Sequence, residues 1–142
     1  MRIKVFFKTV ASLSLALFLL LFVRGISIAR FPLEEGRREF YLRSSSSQAL
    51  VKQTLSLGDL FCVKGEKVSF ACENEEETLA VLLARYEAQV LFIEEAGGVR
   101  SYYCVSEKWQ DGVRLNGVFI NLHIAFDGER CALGLPIIFG GF

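Results

Sequence analysis

The run Thr9–Val23, TVASLSLALFLLLFV, constrains this chain more than any other feature: 15 residues without a charge, preceded by Arg2, Lys4 and Lys8 and followed by Arg24. A helix apolar on every side finds no place on the surface of a small soluble domain, so such a segment belongs in a bilayer or in a secretory signal, with the buried core helix of a soluble protein as the remaining alternative. Its length lies near the upper limit of a signal-peptide core and slightly below the roughly 20 residues that cross a membrane. Val5, Phe6 and Phe7 lengthen it at one end if Lys8 snorkels, and Ile26 to Ala29 lengthen it at the other. The membrane is therefore the first expected partner, met through residues 5–29.

The leading tail is purely basic, which predicts an amino terminus held in the cytoplasm and a carboxy-terminal domain outside, on a single-pass protein of the cell membrane. The alternative is secretion: Ser27-Ile28-Ala29 puts small residues where signal peptidase requires them, and a cut after Ala29 would release a chain beginning at Arg30. No cysteine stands at the end of the segment to carry a lipid.

Three parts follow from this reading. Residues 1–29 are tail and anchor. Residues 30–39, RFPLEEGRRE, combine Pro32, Gly36 and six charges and read as a juxtamembrane linker. Residues 40–142 read as one extracytoplasmic domain, large enough to fold around its own core without a metal or a cofactor, and none is expected. The balance of 16 basic and 16 acidic residues hides an asymmetry, because five of the basic ones lie in residues 1–30. The remainder carries 11 basic against 16 acidic side chains, a net of −5, which repels phosphate backbones and makes nucleic acid an unexpected partner.

Within the domain, Phe40–Arg43 and Leu50–Leu57 are short strand candidates flanking a serine run, Ser44 to Ser47, expected to turn. Leu60–Cys72, interrupted at Lys64-Gly65-Glu66, reads as a strand pair or one bent strand, with Val68, Phe70 and Cys72 alternating against Ser69 and Ala71. A helix follows: Asn74 is suited to cap it, Glu77 completes a capping-box pattern, and Glu75 and Glu76 favour the positive end of its dipole. Leu79, Leu82, Leu83 and Tyr86 form one apolar stripe that needs a sheet to cover it.

Gly97-Gly98, Asn116-Gly117 and Asp127-Gly128 are two-residue hairpin signals. Pairing outward from the first sets Glu95 opposite Arg100 and Ile93 opposite Tyr102; from the third it sets Phe126 opposite Glu129 and Ile124 opposite Cys131. The intervening strand places Val118, Ile120, Leu122, Ile124 and Phe126 on one face and Phe119, Asn121, His123 and Ala125 on a more polar face, open to water or to a partner. The expected fold class is α+β, one main helix on an antiparallel sheet of hairpins beyond an N-terminal transmembrane helix.

Candidate chemistry is sparse. Cys62, Cys72, Cys104 and Cys131 contain no CxxC spacing, so zinc and thioredoxin-like readings lose their usual support. Alternation places Cys72, Cys104 and Cys131 on faces shared with Phe70, Leu91 and Ile124, the position of core thiols, although disulfides are the other expectation for an exported chain. His123 is the only histidine, so a thiol-dependent or hydrolytic site would have to join it to Cys104 or Cys62, with Asn121 as a neighbour. The acids Glu73, Glu75, Glu76 and Glu77 match no calcium loop, and Glu94 and Glu95 point to opposite faces of one strand. The apolar end Leu135–Phe142 reads as a last strand packed into the core or as a docking strip for a membrane-protein partner. The functional expectation is a non-catalytic binding or assembly module of a cell envelope, with an envelope or membrane protein as partner; the exported enzyme is the alternative.

Overall fold

A computed structural model describes residues 2–44 and 48–139, in two compact units divided between Arg30 and Phe31. The first unit is a single helix, α1 (Arg2–Ile28), and its apolar stretch Phe6–Gly25 is 20 residues long with none of it buried. At 1.5 Å per residue that stretch is about 30 Å long, the thickness of a bilayer's hydrocarbon core. One helix is thus long and apolar enough to span a membrane or to serve as a signal.

The second unit is α+β. Its described residues form nine strands, β1 (Arg37–Leu42), β2 (Leu50–Lys52), β3 (Val63–Ala71), β4 (Ala88–Ala96), β5 (Val99–Ser106), β6 (Val113–Leu115), β7 (Val118–Ile120), β8 (Leu122–Phe126) and β9 (Arg130–Leu135), and one helix, α2 (Glu75–Arg85). Seven of them build one antiparallel sheet in the order β2-β1-β3-β9-β8-β5-β4, and β6 with β7 makes a separate two-stranded ribbon.

The helix begins where the sequence places it. Asn74 is extended, and its side-chain oxygen accepts the Glu77 N–H at 3.2 Å. The apolar stripe of α2 lies on one face of the sheet, with Leu82 and Tyr86 buried and Leu79 and Leu83 packed beside Val68, Tyr102, Cys104, Leu122, Ile124, Phe126, Cys131 and Leu133. Burial of a leucine in such a position stabilises by about 1.5–3 kcal/mol.

Residues 30–39 are not a linker after Arg30. Phe31 is fully buried in the core, its ring 5.4 Å from Tyr86 and 5.7 Å from Trp109, and β1 already starts at Arg37. The charges that suggest a solvated tether have distant partners. Arg38 pairs with the fully buried Glu66 at 2.5 Å and donates to the carbonyls of Phe31 and Glu34, each at 3.0 Å. Glu34 in turn accepts from Arg85 and from the Tyr86 hydroxyl.

The interruption at Lys64-Gly65-Glu66 is the interior of β3. Tyr41 pairs with Gly65 and Leu42 with Val63, leaving Lys64 as the extra residue of a bulge. A Cβ at Gly65 would collide with the Leu135 carbonyl and the Tyr41 ring, so the close approach requires glycine. Leu60 and Phe61 belong instead to a single 3-10 turn, Asp59–Phe61. β2 stops at Lys52, short of the expected Leu57, because Asp59 pairs with Lys52 and accepts from the Ser56 N–H and hydroxyl, which bends the chain. Ser45 to Ser47 of the expected serine turn lie outside the described residues.

One hairpin keeps its expected register and a second forms at its expected two-residue turn. Glu95 faces Arg100 and Ile93 faces Tyr102 around Gly97-Gly98, and Leu115 faces Val118 around Asn116-Gly117. The third differs: Phe126 faces Cys131 and Ile124 faces Leu133, two residues from expectation. The Asp127 carboxylate accepts the N–H groups of Glu129 and Arg130 and pairs with the Arg130 guanidinium, which holds a longer loop. A shift of two leaves every side chain on its expected face. The expected strand from Val118 to Phe126 also breaks, at Asn121, where β7 leaves to pair with β6 while β8 continues the main sheet.

Candidate functional site

The side chains most suited to chemistry occupy both faces of the central strands. Cys104 on β5 and Cys131 on β9 are fully buried against α2, and all four cysteines are free thiols. Burial pushes the Cys104 thiol up to about 12 and the Cys131 thiol higher still, so neither is a thiolate at neutral pH. Cys104 faces Val90, not Leu91, because β4 bulges there and leaves Leu91 exposed. Cys72 is half-buried, its sulfur 3.2 Å from the Thr78 hydroxyl oxygen, and Cys62 ends the 3-10 turn, its carbonyl accepting the Arg43 N–H.

His123 lies on the opposite face, and that face is not open. The side chain is 6 % exposed. Its ring stacks on Tyr103 at 4.4 Å, and Tyr103 stacks on Phe92 at 4.5 Å, a three-ring ladder across β8, β5 and β4. The cover is the chain end after β9: the Ile138 N–H donates to His123 Nδ1 at 3.2 Å, and Ile138 packs over Gly134. Further along, Phe139 N–H donates to the Tyr41 hydroxyl and the two rings meet at 5.3 Å. Among the described residues Nε2 has no hydrogen-bond partner, and burial lowers the imidazole pKa to about 4, so the ring is neutral at pH 7. Residues 136–139 of the apolar end thus pack on the domain without forming a strand, while residues 140–142 lie outside the described set.

These positions separate the expected catalytic pair. Cys104 and His123 project from opposite faces of one sheet, because Cys104 pairs with Leu122 and Tyr103 with His123. Asn121 is fully buried and spent on backbone: its oxygen accepts the Ser106 N–H at 2.7 Å, and its amide donates to the Ser106 and Trp109 carbonyls at 2.8 and 2.6 Å. That clamp ends the β7–β8 continuity and anchors the turn after β5.

Charged groups cluster beside α2. Glu34, Phe70, Glu77, Thr78, Val81, Leu82 and Arg85 line an open cleft of about 260 Å³, whose charged wall is the Glu34–Arg85 pair. Burial, and then the Glu34 carboxylate beside it, hold the Tyr86 hydroxyl well above its ordinary range. At the helix start Glu75 is taken by Arg100 at 3.0 Å and by the Tyr102 hydroxyl at 2.7 Å. Among the described residues no three His, Cys, Asp or Glu side chains converge where they would hold a metal ion. The ring ladder had no counterpart in the sequence pattern, because only the sheet register brings its residues together, and the cleft had none because Glu34 and Phe70 reach α2 from segments distant in sequence.

Among the described residues of the second unit, Leu33 and Val118 are exposed singly, and the other exposed large apolar side chains fall in two groups. On the β4 side these are Val81, Leu91 and Ile93, near Glu94 and Glu95. On the β2 side they are Leu50, Val51, Leu57 and Phe61. No protein-family model, curated protein or solved structure matches this chain.

Proposed function

We propose that this protein is a single-pass membrane protein with its amino terminus in the cytoplasm, presenting residues 31–142 outside as a non-catalytic binding or assembly module of a cell envelope, where its partner is an envelope or membrane protein. The observation that carries the reading is α1, whose 20-residue apolar stretch has no buried part, so it needs a solvent other than water. The basic residues Arg2, Lys4 and Lys8 ahead of it support the orientation. The non-catalytic half draws support from the site. His123, Cys104 and Asn121 are each engaged in the packing or hydrogen bonding of the fold, and the histidine and the buried thiol are on opposite faces. Such groups hold a scaffold together, and binding then falls to its outer surface.

A reporter active only outside the cytoplasm, fused after Phe142 of the full chain, tests the topology. Activity is expected in the exported reporter and none in a cytoplasmic one; the reverse pattern refutes the orientation. Sequencing the mature amino terminus is expected to find Met1, whereas Arg30 would show a cleaved, secreted chain.

A further inference from the structure

We infer that the β2 edge of the domain is a second membrane contact, laying Leu50, Val51, Leu57 and Phe61 on an anionic phospholipid surface beside the anchor. The four side chains are between 46 % and 69 % exposed, although each is large and apolar. They line one edge of the domain: Leu50 and Val51 are successive residues of the edge strand β2 and project to its two sides, and the segments that carry Leu57 and Phe61 are tied to that strand. Leu42 lies between Leu50 and Val63 in the sheet, the Lys52–Asp59 ion pair at 2.8 Å joins β2 to the 3-10 turn, and Arg43 N–H donates to the Cys62 carbonyl at 2.8 Å.

Charge selects the occupant. Residues 43–64 carry Arg43, Lys52 and Lys64 against the single acid Asp59, a net of +2 in a unit that is otherwise acidic. Asp59 is held well below the usual carboxylate range, at about 2, first by its hydrogen bond with Lys52, so this pair cancels itself and leaves the exposed Arg43 and Lys64 at the rim. Apolar side chains ringed by basic ones are the composition that inserts into the headgroup region of an anionic bilayer. The β4 edge, with its glutamates, has the opposite charge and is disfavoured there.

The tether makes the contact reachable. Six positions separate Gly25, last residue of the apolar stretch, from Phe31, the first residue of the core. At no more than about 3.3–3.6 Å per residue, the domain is held within roughly 20 Å of the bilayer edge. This inference rests on the anchored reading above, and its test separates the two.

The full chain is placed in nanodiscs of phosphatidylcholine alone or of phosphatidylcholine with phosphatidylglycerol, and amide exchange over residues 50–62 is followed by mass spectrometry. Exchange is expected to be at least about tenfold slower in the anionic discs, since each basic side chain at such a surface raises the docked population about fivefold. Neutralising both rim charges, Arg43→Gln with Lys64→Gln, or removing the apolar tips, Leu57→Ser with Phe61→Ser, is expected to abolish the difference. Exchange in β8 and β9 serves as the folding control, and all four positions are exposed enough to change without loss of the core. Equal exchange in the two kinds of disc overturns the docking surface while leaving the anchor standing. A chain that does not co-elute with the discs overturns the anchor, and the docking with it.

Discussion

Arg38→Met removes the group that converts residues 31–36 from tether into core, and the structure sets the size of the loss. Its guanidinium compensates Glu66, which is fully buried, and donates to two carbonyls of the Phe31–Glu34 turn. Breaking a buried pair costs about 3–5 kcal/mol, and each lost hydrogen bond about 0.5–1.5 kcal/mol. The Arg38 side chain keeps 25 % of its exposure, so water screens part of the pair and the lower end applies, about 3 kcal/mol. With a urea slope of about 2 kcal/mol per M for a domain of this size, the midpoint falls by about 1.5 M. Trp109 reports the transition, since it is the single tryptophan and contacts both Phe31 and Tyr86. The assay is urea unfolding of the full chain in detergent micelles, followed by Trp109 fluorescence. Glu66→Leu added to Arg38→Met removes the buried carboxylate that the single change strands and is expected to recover part of the loss, the two carbonyl hydrogen bonds staying lost. The reasoning is refuted if the single change moves the midpoint by less than about 0.5 M, or if the double variant is destabilised by the sum of the single effects.

His123 gives the fold a pH dependence. Its pKa is about 4 in the folded domain against an ordinary 6.5, so the unfolded chain takes up the proton first and the stability present above pH 6.5 is lost as pH falls towards 4. Between pH 7.5 and pH 5 the loss is about 2 kcal/mol, and His123→Phe is expected to remove it; an unchanged urea-midpoint difference between the two pH values would show that the imidazole is not the source. Asn74→Ala deprives the Glu77 N–H of its acceptor and is expected to lower stability by about 1 kcal/mol; an unshifted denaturation curve would count against the cap.

Some of this architecture is written locally and some is not. Asn74 and the Leu79–Tyr86 stripe announce α2 because a cap and a 3.6-residue period are local properties. Gly97-Gly98 sets its hairpin correctly because both residues take positive φ, as the primed turn requires. Asp127-Gly128 carries the same signal and a different outcome, since the Asp127 carboxylate binds two N–H groups beyond the turn. The failure at residues 30–39 has another cause. Arg38 and Glu34 look solvated until Glu66, Arg85 and Tyr86 are brought beside them by the sheet, and one sequence read along its length does not contain that proximity. Likewise alternation assigns His123 to a face, but whether that face is wet depends on where residues 136–139 run.

The strand order has a consequence in time. β9 lies between β3 and β8, and without it the sheet falls into two ladders, β2-β1-β3 and β8-β5-β4. The chain is made from its amino terminus at about 5–20 residues per second, so the 64 positions from Ala71 to Leu135 take on the order of 3 to 13 s. For that interval β3 waits with one edge unpaired, able to join any other strand it meets. Glu66 and Lys67, buried once β9 arrives, stand on that edge as adjacent charges, opposite the future sites of Leu135 and Gly134. Arg38 and Glu39 of β1 partner these charges from the other side of β3, so the ladder formed first already holds them, and any strand that joins the waiting edge has to cover that pair of charges as β9 does.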